Sequence, residues 1–175
     1  MKKYLFSLLL ILMVTVLVHS QDMDKMSMDS KHESVYNNLL NALTSGNLEM
    51  LDKYVAPDFI EHDPGPMMTK KTGIERIKED FASYHKIFPD MKSKVHNIAV
   101  TGDMLFAYIT FTGTSAESFM GMPANHKMTM NMVDLVRFKG DKIAEHWGFT
   151  SNEDMMKMMP QDKMSQNKMM DKEMK

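Results

Sequence analysis

Cysteine is absent from this chain of 175 residues, and long runs of basic residues are absent as well. Without cysteine no disulfide can stabilise the fold, so a conventional hydrophobic core must do so. With a formal net charge of −2 and no basic run, the chain also lacks the electrostatic signature of a nucleic-acid-binding protein. We therefore expect a core-stabilised protein that has no nucleic acid partner.

The first 20 residues have the pattern of an export signal. Lys2 and Lys3 precede an apolar run from Tyr4 to Val18, and a cleavage site is expected after Ser20. The run is short for a membrane span, which needs about 20 apolar residues. No cysteine follows it that could carry a lipid. We expect a periplasmic or secreted protein with no stable membrane association after cleavage; an uncleaved N-terminal anchor is the alternative.

Composition divides the remaining chain into three zones. Residues 21–32 are polar with interspersed methionines, residues 33–159 have the apolar patterning of a folded domain, and residues 160–175 are mostly Met, Lys, Asp and Gln. The two flanks lack the branched apolar residues that form a packed core. We predict a disordered linker, one domain and a disordered tail.

Apolar spacing predicts three helices in the first half of the domain. The first has apolar residues at every third or fourth position and ends at Gly46. A second, short helix is capped by Asn47 and ends at Pro57. The third begins with a capping box at Thr72 and ends before Pro89. These helices precede every predicted strand.

Four later segments alternate polar and apolar residues with a period of two, which is typical of strands. They are "KVHNIAV", "MLFAYITFTGT", "KMTMNMVDLVRF" and "KIAEHWGFT". Short glycine-containing turns join the first to the second and the third to the fourth. Helices followed by an antiparallel sheet indicate an α+β domain with its helices on one face of the sheet.

This order and several short motifs resemble the SnoaL-like polyketide cyclase family (ester cyclase type) of the nuclear transport factor 2-like superfamily. The motifs are "YVAPDFIEHDPGP", "FPDMK", "TGD", "FTGT", "GMP" and "VDLVRFKGDKIAEHW", with Gly73 opening the third helix. The resemblance implies a cone-shaped barrel of three helices packed on a strongly curved, mainly antiparallel sheet that encloses one deep pocket. It also implies a homodimer formed through the outer surface of the sheet.

The resemblance places a proton-accepting aspartate two positions after the histidine that aligns with His146. This chain has Gly148 at that position. A histidine that family members carry on the preceding strand aligns with Asp134. The superfamily includes ring-closing enzymes, isomerases, dehydratases, hydrolases and non-catalytic binders. Gly148 favours a binding role, whereas a contact between Asp134 and His146 favours an enzyme.

The turn at Lys139–Asp141 decides whether Asp134 and His146 meet. A three-residue loop sets them directly opposite each other on the pocket face, together with Met132, Val136, Ala144 and Gly148. A carboxylate beside an imidazole fixes its tautomer and stabilises the imidazolium, which suits acid–base chemistry near neutral pH. A two-residue loop places Asp134 opposite Trp147 and separates the pair. A purely structural pair within the sheet is the other alternative.

Four more residues are candidates for the pocket. His62 ends a segment that lies over the pocket mouth in the family, and we expect it to donate a proton or polarise a carbonyl. Glu61 aligns with a polar pocket residue, but alternation allows only one of these two neighbours to be fully buried. Tyr84 and Tyr108 are expected in the pocket wall or, alternatively, as ordinary core tyrosines. Trp147 is expected on the outer face or in a dimer interface. The other histidines that follow the export signal are expected to be exposed: His32, His85, His96 and His126.

Methionine is unusually frequent, with 23 residues. Met128, Met130 and Met132 alternate along one strand and predict a flexible, apolar pocket wall. The methionines of the tail cannot all be core, and their thioethers suggest Cu(I) handling, compositional drift or sacrificial oxidation. No pair of histidines has a metal-binding spacing, so no pocket metal and no cofactor are expected.

Together these features lead to one functional hypothesis. A small hydrophobic carbonyl or ester compound binds the pocket, His146 acts as general acid and base, Asp134 orients it, and His62 assists. The alternatives are a non-catalytic ligand-binding protein and Cu(I) handling through the methionine-rich flanks.

Overall fold

The computed structural model describes residues 25–63, 65, 69–151, 153 and 154. The predicted export signal and the predicted tail lie outside these residues, and so do the tail methionines. Within the described ranges, no helix has the length and apolar character needed to cross a membrane.

The first helix, α1, covers residues 25–45 and supplies a large part of the core. Its inward face carries buried side chains at three- and four-residue spacing, as expected for a helix that packs on a sheet: Tyr36, Leu39, Leu40 and Leu43. The helix is followed by Gly46, whose φ of +75° is readily adopted by glycine.

The predicted linker is wrong for residues 25–32, which belong to α1. His32, expected to be exposed, is only 3% exposed and stacks on Phe138 with ring centroids 3.9 Å apart. Its Nε2 lies 3.3 Å from the carbonyl oxygen of Gly140. His85, which was also expected to be exposed, is half-buried. His96 and His126 are exposed, as expected. Long-range contacts hold the start of α1, and local composition cannot show them.

A 3₁₀ turn at Leu48–Met50 leads into helix α2, Leu51–Tyr54, and strand β1, Val55–Glu61. The prediction that this helix continues to Pro57 is wrong, and Asn47 forms no side-chain cap. Pro57 lies inside β1 instead. Proline cannot donate a ladder hydrogen bond, but β1 is an edge strand, where proline is tolerated.

Helix α3, Gly73–Ile87, buries Ile74, Ile77 and Ile87. Thr72 occupies the N-cap position without a side-chain hydrogen bond, so the predicted capping box does not form. Gly73 has a φ of +61°, and a Cβ on this residue would overlap the carbonyl oxygen of Pro57. The close approach of α3 to β1 therefore requires glycine here.

Four further strands complete a five-stranded sheet: β2 (Lys92–Thr101), β3 (Met104–Thr114), β4 (Lys127–Lys139) and β5 (Lys142–Thr150). The strand order is β1-β5-β4-β3-β2, with β1 parallel to β5 and all other neighbours antiparallel. Along β3, alternate side chains point inward and pack into the common core: Leu105, Ala107, Ile109 and Phe111. The predicted α+β architecture, three helices on a mainly antiparallel sheet, is confirmed.

Replacing Gly73 by alanine tests the contact between α3 and β1. The new Cβ would require both an unfavourable positive φ and a backbone shift at Pro57. We expect Gly73→Ala to lower the free energy of unfolding by about 2 kcal/mol or more, measured by urea denaturation. The matched control is Gly102→Ala, which has a φ of +63° but no atom within 4 Å of the new Cβ. Equal losses for the two variants would contradict the proposed overlap.

Candidate active site

The β4–β5 hairpin brings Asp134 and His146 together, but not in the predicted register. Lys139 pairs with Lys142, so the loop has two residues, and a register shift between Arg137 and Phe138 then adds one residue to β5. As a result Asp134 lies opposite Gly148. His146 is its diagonal neighbour on the same face. The ring Nε2 lies 3.3 Å from Asp134 Oδ1, so the predicted contact exists although the predicted direct pairing is wrong.

Strand β1 adds a second carboxylate to the same histidine. β1 runs parallel to β5 with Glu61 paired to His146, and the backbone N–H of His62 donates to the carbonyl oxygen of His146 over 2.9 Å. In this register Glu61 points to the pocket side, where its oxygens lie 2.8 and 2.9 Å from Nδ1 of His146. Both ring nitrogens of one imidazole therefore face a carboxylate.

The placement of His62 corrects the prediction that it lines the pocket. Successive residues of an extended strand point to opposite faces, so the inward position of Glu61 turns His62 outward. There its ring stacks on Trp147 with centroids 4.2 Å apart, and its Nε2 lies 2.8 Å from Glu145. Trp147 is thus on the outer face, as predicted, and the His62 side chain does not reach the cavity.

Helix α1 supplies a partner that sequence reasoning missed. The hydroxyl of Tyr36 donates a hydrogen bond of 2.6 Å to Asp134 Oδ2. Tyr36 is 1% exposed, and burial followed by the charge of Asp134 raises its pKa well above the ordinary value. The tyrosine therefore remains a protonated donor. Apolar periodicity identifies Tyr36 as a core residue of α1 but cannot show which polar group its hydroxyl meets.

Electrostatics make His146 a stable cation. Burial on its own would lower its pKa, but the hydrogen bonds to Asp134 and Glu61 and the charges of both carboxylates together raise the pKa to about 10. At neutral pH the ring is thus an imidazolium. Both ring nitrogens already carry a proton, so the resting ring cannot accept another.

These groups open into a cavity of about 710 Å³ between the helices and the sheet. Most of the wall is apolar, and it includes the predicted methionines of β4, residues 128, 130 and 132, with Val136, Gly148 and Tyr84. Burial, followed by the charges of Asp80, Asp63 and Glu61, raises the pKa of Tyr84 to about 12. The Tyr84 hydroxyl is therefore protonated near neutral pH.

Two residues predicted in the pocket wall lie elsewhere. Tyr108 is 42% exposed on the outer face, where it stacks on His96, because β3 turns Ala107 inward and Tyr108 outward. Ala144 is the additional residue at the register shift of β5. Ile143 therefore lines the cavity in its place.

Gly148 leaves space for a carboxylate from another element. A Cβ on Gly148 would lie 3.0 Å from Met132 Cε and 3.5 Å from Asp63 Oδ2. Asp63 lies just after β1, and it lines the cavity. Asp80 of α3 also lines the cavity. The sequence contains a signal for Asp63, because it is two residues beyond Glu61 and shares its side of an extended chain. Across the described residues, no group of three or more acidic or histidine side chains is arranged to hold a metal ion.

The family model described as SnoaL-like polyketide cyclase matches residues 33–161. The chain belongs to the SnoaL-like polyketide cyclase family. None of the curated protein sequences matches it.

Several solved structures have this fold. IdmH from Streptomyces antibioticus, assigned as a polyketide cyclase, shares 28% identity with a TM-score of 0.62, covering 73% of this chain and 96% of IdmH. TsrD from Streptomyces laurentii shares 19% identity with a TM-score of 0.64, covering 74% of this chain and 94% of TsrD. A SnoaL-like protein from Jannaschia shares 19% identity with a TM-score of 0.62, covering 76% of this chain and 94% of that one. The last two likenesses show the fold alone.

The raised pKa of His146 predicts how stability depends on pH. Its folded value of about 10 lies above the ordinary value of 6.5. The stabilisation from the protonated ring is therefore fully present below about pH 6.5 and is lost as the pH rises through about 10. We expect His146→Gln to be less stable than the parent protein near neutral pH, and the difference to shrink as the solution becomes alkaline.

Urea denaturation at a series of pH values measures this difference. His126→Gln, which changes an exposed histidine, is the matched control and should follow the parent protein at every pH. A destabilisation by His146→Gln that stays constant across the alkaline range would contradict the raised pKa.

Proposed function

We propose that this SnoaL-like protein binds a small hydrophobic carbonyl or ester compound in its cavity and catalyses proton transfer on it. The observation that carries the proposal is the Glu61–His146–Asp134 arrangement, in which one imidazolium lies between two carboxylates inside an apolar cavity. General acid–base catalysis needs a base and an acid within reach of the same substrate. The carboxylates are the bases available here, and the imidazolium is the acid.

Glu61 is the carboxylate that best fits the role of base. Asp134 accepts a hydrogen bond from the Tyr36 hydroxyl. Its side chain is also more buried than that of Glu61, with 8% of its surface exposed against 15% for Glu61. Glu61 accepts hydrogen bonds from His146 and from the backbone N–H of Asp63. Glu61 is therefore held by two donors while its side chain remains more accessible to a ligand than that of Asp134.

The proton transfer can be written as a balanced step. Glu61 takes a proton from the carbon next to the ligand carbonyl; the C–H bond breaks, an O–H bond forms, and the electron pair moves to the carbonyl oxygen. Protonation of Glu61 weakens the hydrogen bond that it accepts from the Nδ1–H of His146. This N–H then donates a hydrogen bond to the new oxyanion. In a conjugated enolate, return of the proton from Glu61 to another carbon gives an isomer. Attack by the enolate carbon on a second carbonyl of the ligand forms a C–C bond and closes a ring, and the new alkoxide takes the proton from Glu61.

This scheme changes the role expected for His146. With a pKa of about 10 the ring is the acid rather than the resting base. Asp134 keeps its expected role as the group that orients the ring, supported by Tyr36. His62 has no part in the step because it lies on the other face of the sheet.

Deuterium exchange tests the proposed base. We expect the protein to accelerate exchange of the α-hydrogens of 2-tetralone, an apolar cyclic ketone, in D₂O as followed by NMR. Glu61→Gln should reduce the acceleration about 100-fold or more, because the amide cannot accept the proton. Glu49→Gln, the same change at an exposed site, should leave it unchanged. Binding of 2-tetralone without any acceleration by the parent protein would indicate a non-catalytic binding protein instead.

We also propose that the protein pairs as a homodimer through the outer face of the sheet. Two adjacent cross-strand rows contribute partly exposed apolar side chains to this face: Phe106, Tyr108, Val133 and Phe149. A partner of the same kind would remove this surface from water.

An acidic substitution in these rows tests the dimer. We expect Phe106→Asp to halve the mass measured by sedimentation equilibrium, since a charge in an apolar interface lacks a partner. Asp103→Ala, a change of an exposed residue at the nearby turn, serves as the control and should keep the dimer. A monomeric parent protein at micromolar concentration would contradict the proposal.

A further inference from the structure

The charges that line the cavity are unequal in sign. Four carboxylates reach it, from Glu61, Asp63, Asp80 and Asp134, while the lining residues include no lysine or arginine among those the structure describes. His146 supplies one positive charge and is shared by Glu61 and Asp134. Asp80 is paired with Arg76, which is not among the lining residues. The excess of negative charge therefore comes from Asp63 and from the two carboxylates that share His146.

Two buried carboxylate oxygens in this lining are incompletely hydrogen-bonded. Asp134 is 5% exposed, and its Oδ1 has no partner other than the imidazolium Nε2 of His146, which lies 3.3 Å away. Oδ1 of Asp80 is also buried without a hydrogen bond, although Oδ2 lies 3.4 Å from Arg76 Nε. A buried acceptor without a donor costs free energy, and a ligand that brings a donor recovers it.

The cavity is also amphiphilic along β4. Asp134 and Val136 point inward beside His146 and Gly148, and the next inward positions along the strand are methionines. The methionine wall is apolar and adaptable. The opposite end of the cavity, beside Asp134 and Gly148, is acidic. Asp63 contributes an exposed carboxylate there, with its Oδ2 beside Gly148.

We infer that the cavity selects an apolar ligand that carries a cationic nitrogen, and that it rejects ligands carrying a carboxylate or phosphate. An ammonium group donates hydrogen bonds to the acceptors of Asp63, Asp80 or Asp134 while the apolar body lies against the methionines. An anionic ligand would instead add like charge to a cavity of low dielectric, where repulsion is strong.

This inference rests on the ligand-binding part of the proposed function and names its substrate class. Together with the proposed proton transfer, it describes a hydrophobic carbonyl compound that also bears a protonated nitrogen. The charge preference concerns binding alone, so it can be measured without turnover.

Three probes with one apolar body test the preference: 2-naphthylmethylamine, 2-naphthylmethanol and 2-naphthoate. At neutral pH they are cationic, neutral and anionic, respectively. We expect equilibrium dialysis against the full chain to show the amine binding about tenfold more tightly than the alcohol. The alcohol should in turn bind more tightly than the naphthoate.

Charge-removing variants locate the effect. Asp63→Asn should weaken binding of the amine about tenfold while changing binding of the alcohol less than about twofold. Asp80→Asn provides a second, independent variant with the same expected direction. Asp58→Asn removes the same charge from an exposed residue outside the cavity and should leave all three affinities unchanged.

The possible outcomes separate this inference from the proposed catalysis. Naphthoate binding as tightly as the amine, or equal losses for amine and alcohol in both cavity variants, overturns the charge preference. Failure of the amine to bind overturns it as well. A clear preference for the amine together with no deuterium exchange supports this inference and contradicts only the proton transfer.

Discussion

The imidazolium of His146 joins the separate layers of this domain. One ring contacts Asp134 of the neighbouring strand β4 through Nε2 and Glu61 of the edge strand β1 through Nδ1. Tyr36 extends the chain of contacts to α1. Loss of the positive charge would leave two carboxylates facing each other in an apolar cavity, which is strongly unfavourable. The same interaction therefore stabilises the edge of the sheet and holds the proposed catalytic groups in place.

Burial explains why this arrangement is suited to chemistry. A neutral core would pack these positions with aliphatic side chains, and buried ion pairs are seldom the most stabilising choice. Here the pairing keeps a proton on His146 well above its ordinary pKa and keeps two carboxylates close to a ligand. The methionine wall and the glycine at position 148 leave the space that a ligand would occupy.

The candidate site shows where sequence reasoning succeeds and where it fails. The contact between Asp134 and His146 was predictable because both positions belong to strands of period two that face the same side. Their register was not predictable, because the register shift adds Ala144 without any glycine or proline to mark it. Likewise, alternation indicates that only one of Glu61 and His62 points inward. The parallel pairing of β1 with β5 decides that it is Glu61.

The sequence by itself determined the class of fold, four of the five strands and the apolar wall of the cavity, but it missed strand β1 between α2 and α3. These depend on local periodicity, which each segment carries independently of the others. Only the tertiary structure decided that α1 includes His32, that Tyr36 meets Asp134, and that Asp63 lies beside Gly148. Those contacts join residues distant in the chain, and one shift in strand register changes which side chains meet.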